Sequence, residues 1–136
     1  TEEGVGFGYG HMPMYLFIAA IGAGLHVTAY VVEGEAEVGT LAATLAVALP
    51  VGLTIVGILL FATYLLPEGR AFHAVISGFV VVALAIAVAL AAAGVGVAWC
   101  LGVVMVSPWI AVVAYELRGH QHLSRMLADH GIATHE

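Results

Sequence analysis

Two long stretches without a charged side chain constrain the fold of this chain more than any other feature. Residues 38–67 contain no Asp, Glu, Lys or Arg, and residues 74–115 contain neither these nor a histidine. Only 9% of the chain is charged and 62% is hydrophobic, whereas a water-soluble domain is about a quarter charged. Because so few charges cannot cover a surface that faces water, we predict an all-α integral membrane protein.

The clusters of charged residues divide the chain into four predicted transmembrane helices. One crossing requires about 20 apolar residues, and the segment 74–115 would be about 63 Å long as one continuous helix. This is twice the thickness of the hydrocarbon core, so the chain must turn back. Gly94-Val95-Gly96 is the predicted turn, because glycine permits the backbone angles of a tight turn. The predicted helices of this single transmembrane domain cover 12–33, 38–66, 71–93 and 97–116, and a short amphipathic helix over 117–130 is predicted on the membrane surface.

Two prolines lie inside predicted helices, where each removes a backbone hydrogen bond. Pro50 is the predicted kink of the second helix, which is longer than a straight crossing of the bilayer requires. Pro108 in the fourth helix cannot donate to the carbonyl of Val104. The neighbouring Ser107 is placed to satisfy this carbonyl or to bend the helix further.

The positions of the arginines predict the orientation of the chain. With four crossings, both termini and the connection between the second and third helices lie on one side of the membrane. Arg70, Arg118 and Arg125 are the three arginines of the chain, and all of them fall on that side. The positive-inside rule therefore predicts cytoplasmic termini, with the acidic loop of residues 33–37 outside.

The composition argues against several classes of function. Nucleic-acid binding needs basic residues to neutralise phosphates, whereas this chain has three Arg, no Lys and a formal net charge of −6. Without lysine the chain cannot form a Schiff base with retinal or pyridoxal phosphate. Cys100 is the only cysteine, so no internal disulfide can form. The serines lack a Ser–His–acid spacing, and we expect no catalytic residue, no enzymatic activity and no cofactor.

A stripe of polar and small side chains is predicted along one face of the first helix. Its members recur every three or four residues, and the remaining surface of the helix is mostly Leu, Ile, Val, Phe and Ala. His26 is the only ionisable residue deep within a predicted span, where such groups are costly. One interpretation is a permeation or proton pathway, and the other is a hydrogen-bonded seam between helices. The stripe consists of His11, Tyr15, Ala19, Gly22, His26, Tyr30 and Glu33.

Small residues at helical spacing predict close contacts between helices. In lipid, glycine and alanine let helix backbones approach each other, and four helices bury little surface among themselves. We therefore expect a homo-oligomer or a complex with other membrane subunits, in contact with the lipid bilayer and without nucleic acid. The predicted packing residues are Gly94, Ala98 and Gly102 at the fourth helix and Ala83, Ala87 and Ala91 on the third.

Several histidines and one glutamate map to the predicted cytoplasmic boundary. Glu116 and His120 are four residues apart and face the same way on a continuous helix, a spacing that can bind a divalent metal. His11 and His73, on different helices, are the residues that would ligate a haem. The competing interpretation is that these histidines lie at the membrane interface without a ligand. We expect no metal site, and the weak candidates are His73, Glu116 and His120.

The segment GFGYGH, followed by MPMYLFIAAIGAGLHVTAY, resembles the C-terminal part of the bacterial low-temperature-requirement protein A family. Members of that family have a similar Tyr- and His-containing segment at the start of a helix, then an Ala-rich stretch with a Gly-Leu pair. The resemblance covers residues 6–120 and implies a polytopic protein of the bacterial inner membrane. Full family members are longer, with a more polar N-terminal half, so the resemblance also implies that this chain corresponds to part of such a protein. The matching residues are Gly8, Tyr9, Gly10 and His11, then Gly22, Ala23, Gly24 and Leu25.

From these features we expect a transport-type or permeation component of the inner membrane, with the stripe on the first helix as the candidate path. The alternative is a non-catalytic accessory or anchor subunit that packs through its small-residue helix faces into a larger membrane complex. A redox anchor that binds haem through histidines of the cytoplasmic side is a third class.

Overall fold

The computed structural model describes residue 9, residues 12–65 and residues 69–129, with side chains up to residue 118. Within these ranges the secondary structure is entirely helical, with four α-helices. All four are long and apolar enough to cross a membrane, which confirms the predicted fold class. The helices are Met12–Glu33 (α1), Thr40–Leu65 (α2), Arg70–Ala92 (α3) and Val97–Asp129 (α4).

The second helix occupies the centre of the bundle. It contacts α1, α3 and α4, whereas α1 packs mainly against α2 and only weakly against α4. Only two residues of α1, Gly24 and Thr28, are buried, against six residues of α2 and seven of α3. The first helix is therefore the peripheral helix of the bundle.

The apolar core lies between α2, α3 and the first half of α4. On α3 the buried residues are spaced by three or four positions, which places them on one face of the helix. On α4, Val104 is the buried member of the core, and Leu101, Val103, Ala111 and Ala114 pack against it. The buried members of the core are Val47, Ala48, Leu59, Ile76, Val80, Leu84, Ala87 and Val104.

The turn between α3 and α4 lies where the glycine spacing predicts it. Gly94 has a φ of 83°, in the left-handed region that glycine adopts without steric cost. The N–H of Gly94 donates to the carbonyl of Ala91 at 3.1 Å, and the N–H of Val95 donates to the carbonyl of Leu90 at 3.0 Å. These two bonds form a Schellman motif, which satisfies carbonyls that the end of a helix would otherwise leave unpaired. Gly34, with a φ of 75°, ends α1 by the same pair of bonds.

The break that Pro108 makes in the hydrogen bonding of α4 is repaired by a serine. Pro108 lies inside α4 and cannot donate to the carbonyl of Val104. The hydroxyl of Ser107 donates to this carbonyl at 2.7 Å, and Ser107 is fully buried. The predicted role of Ser107 is confirmed.

A second internal proline leaves a carbonyl without its helical donor at the contact between α1 and α2. Pro50 lies inside α2 and has no N–H for the carbonyl of Ala46. The backbone of Gly24 on α1 lies directly against this carbonyl, and a Cβ atom at position 24 would collide with it. Contacts between a Cα–H group and a carbonyl recur at such helix interfaces. Position 24 therefore requires glycine for a reason of packing.

The chain beyond residue 116 differs from the prediction. Residues 117–129 continue α4 as one helix and do not form a separate short helix. The segment contains no proline, and a single glycine inside a helix costs only about 1 kcal/mol. Nothing local interrupts the backbone hydrogen bonds, so the helix continues through the change from apolar to polar sequence.

Replacement of Gly24 by alanine is expected to destabilise the bundle, because the new methyl group would meet the carbonyl of Ala46. Overpacking of this kind costs about 1–3 kcal/mol. The control is Gly57→Ala on α2, where a Cβ atom would have nothing within 4 Å and the higher helix propensity of alanine is favourable. The free energy of unfolding in mixed micelles measures both variants. If both substitutions change the free energy of unfolding equally, the close approach of Gly24 to the carbonyl of Ala46 is contradicted.

Candidate functional site

The predicted polar stripe lies on the outer surface of the bundle. Successive residues of a helix are rotated by about 100°, which places His26 nearly opposite Gly24 and Thr28, the two buried residues of α1. His11 lies outside the described residues. We call the six remaining members the polar face of α1, and all six are exposed: Tyr15, Ala19, Gly22, His26, Tyr30 and Glu33.

This placement changes where a pathway would have to lie. The candidate residues are brought together on one face, as their spacing predicts, but that face points away from α2. The role of the stripe in permeation stays a prediction. A path lined by these residues would run between this chain and a neighbour rather than through its own bundle.

The imidazole of His26 has one aromatic neighbour on its own helix. Its ring meets the ring of Tyr30 edge-on, with centroids 4.9 Å apart and an angle of 84° between the planes. Among the described residues, no hydrogen bond of this imidazole is present. A neutral imidazole has one N–H donor and one nitrogen acceptor, and polar groups without partners are costly in hydrocarbon.

A different histidine is the one that the bundle buries. His73 lies in the first turn of α3 and is only 4% exposed. Its Nδ1 atom is 2.8 Å from the hydroxyl oxygen of Thr63 near the end of α2. The same hydroxyl donates to the carbonyl of Leu59 at 2.8 Å. Since a threonine hydroxyl has one hydrogen to donate, it accepts from His73, and Nδ1 carries the proton.

Aromatic rings and a glycine enclose His73. The ring of Tyr115 on α4 stacks on the imidazole, with centroids 5.9 Å apart and an angle of 29° between the planes. At the N-cap of α3, a Cβ atom at Gly69 would lie 2.9 Å from Cε1 of His73. Phe72 meets Tyr115 edge-on at 5.4 Å, and the guanidinium of Arg118 lies 4.3 Å from the centroid of Phe72. Such cation–π contacts stabilise exposed sites by about 0.5–1 kcal/mol.

The His73 cluster, formed by Thr63, Gly69, Phe72, His73, Tyr115 and Arg118, holds three helices together at one end of the bundle. Its hydrogen bond joins α2 to α3, and its stacked rings join α3 to α4. Nδ1 of His73 is hydrogen-bonded to Thr63, and the ring is enclosed by its neighbours. This arrangement supports a structural role, in which the cluster fixes the relative positions of the three helices.

The residues proposed as weak metal ligands are only partly described. His73 is buried in the cluster, Glu116 is exposed, and the side chain of His120 lies outside the described residues. Within the described part of the chain, no group of three or more His, Cys, Asp or Glu side chains is placed to hold a metal ion. The haem candidates His11 and His73 cannot be compared, because His11 also lies outside that part.

Sequence reasoning did not identify the partners of His73. One signal was available: His73 is spaced three residues before Ile76 and seven before Val80, so it continues the buried face of α3. The hydrogen bond from Thr63 has no signal in the sequence, since it depends on how the end of α2 meets α3.

The predicted packing residues divide into an inner and an outer set. Ala83, Ala87 and Ala91 are buried and pack within the chain. Ala98 and Gly102 are exposed on α4, and Gly94 forms the exposed turn. The inner set packs against other helices of the same chain. The outer set is exposed on the surface of the bundle, where lipid or another subunit can contact it.

The buried polar side chains of the described residues do not form a continuous hydrogen-bonded path. Thr28 and Ser107 donate to carbonyls of their own helices, and His73 donates to Thr63. The hydroxyl of Thr44 has no partner among the described residues. A groove of about 580 Å³ between α2 and α3 is lined by Leu, Val, Ala and Gly alone, so it offers no polar path either.

A family model described as Bacterial low temperature requirement A protein (LtrA) matches residues 3–108, more than three quarters of the 136 residues. The matched segment contains α1, α2, α3 and the first part of α4, and therefore both His26 and His73. No curated protein and no solved structure matches the chain.

Substitution Thr63→Val is expected to lower the free energy of unfolding by about 1 kcal/mol, because the buried N–H of His73 loses its acceptor. The matched control is Thr54→Val on the same helix, whose hydroxyl bonds only to the carbonyl of Pro50 in its own helix. Unfolding of both variants in mixed micelles provides the comparison. If both variants lose the same free energy of unfolding, the hydrogen bond between Thr63 and His73 contributes no more to stability than a hydroxyl bond within one helix.

Proposed function

The chain belongs to the bacterial low temperature requirement A family, and from this premise we propose that it is a non-catalytic subunit of a larger assembly in the bacterial inner membrane. In this proposal the polar face of α1 is the surface that meets the rest of the assembly. The termini lie in the cytoplasm, with the three arginines on that side, and the acidic loop of residues 33–37 lies outside.

The single observation that carries the proposal is the exposure of the polar face of α1. This helix is long and apolar enough to cross a membrane, yet His26 and two tyrosines are exposed along it. A polar group in hydrocarbon costs several kcal/mol without a hydrogen-bond partner. A further protein surface, or water held by one, removes this cost.

A second candidate function is permeation along the same face. The face extends over most of the length of α1, from Tyr15 to Glu33. In an assembly, polar faces from neighbouring subunits would border a common path, with Glu33 attracting cations at its outer end and the imidazole of His26 passing protons along it. This candidate requires the same assembly as the first proposal and differs from it in predicting that protons or cations cross the membrane along the polar faces.

The assembly is tested by placing a photoreactive benzoyl-phenylalanine at Tyr15, on the polar face of α1. The matched control is the same replacement at Tyr64, which is 79% exposed on α2 and lies outside that face. After irradiation of native membranes, Tyr15 is expected to yield adducts with protein and Tyr64 adducts with lipid. Lipid adducts alone at Tyr15 would contradict the proposal, because the polar face would then be uncovered.

Permeation is tested by proton flux into vesicles that contain the purified protein and a pH-sensitive dye. His26→Ala is expected to reduce the flux several-fold without loss of assembly, because it removes the imidazole that would carry protons along the face. The control is Leu25→Ala, a residue that is half exposed on the same helix and lies off the polar face. Unchanged flux in the His26 variant would remove the permeation candidate and leave the assembly untouched.

A further inference from the structure

We draw no further inference here: the strongest candidate, the apolar groove of about 580 Å³ between α2 and α3, carries none, because nothing in the described part of the structure shows what covers it.

Discussion

Every backbone N–H and C=O group inside the bilayer needs a partner within the protein, and this requirement organises the bundle. Helices satisfy most of these groups, and Schellman turns at Gly34 and Gly94 satisfy the carbonyls at two helix ends. Each internal proline leaves one carbonyl without its helical donor. The hydroxyl of Ser107 repairs one, and the backbone of α1 packs against the other. The closest approach of the peripheral helix described by these glycine contacts thus lies at a break in the hydrogen bonding of the central one.

The same requirement distinguishes the two histidines whose side chains the structure describes. His73 has a hydrogen-bond partner for Nδ1 on the neighbouring helix and a stacked ring beside it, so its Nδ1 atom is satisfied within the chain. His26 has the edge of an aromatic ring on its own helix. The first histidine adds specificity to the contact among α2, α3 and α4. The second leaves a donor and an acceptor to be satisfied by something outside the bundle.

Local rules were sufficient to predict the four helices, the glycine turn at Gly94 and the bond from Ser107, because each depends on a few neighbouring residues. The orientation of α1 required the structure. In lipid, leucine and valine suit the core and the outer surface equally well, so a hydrophobic pattern does not reveal which face packs. Gly22 and Gly24 are alike in sequence, and only the position of the Ala46 carbonyl makes one of them essential for packing. The partner of His73 was hidden for the same reason, since Thr63 meets it across a helix contact.

The outward position of the polar face has a consequence for how sequence changes act on this protein. A change at Gly24, Thr63 or Ser107 alters contacts inside one chain and therefore its stability. A change at His26 alters no contact of the core, so a single folded chain tolerates it. In the proposed assembly, the effect of such a change appears at the surface between the chain and its partner. Stability and association would then depend on separate residues, and those of α1 lie on opposite faces of that helix.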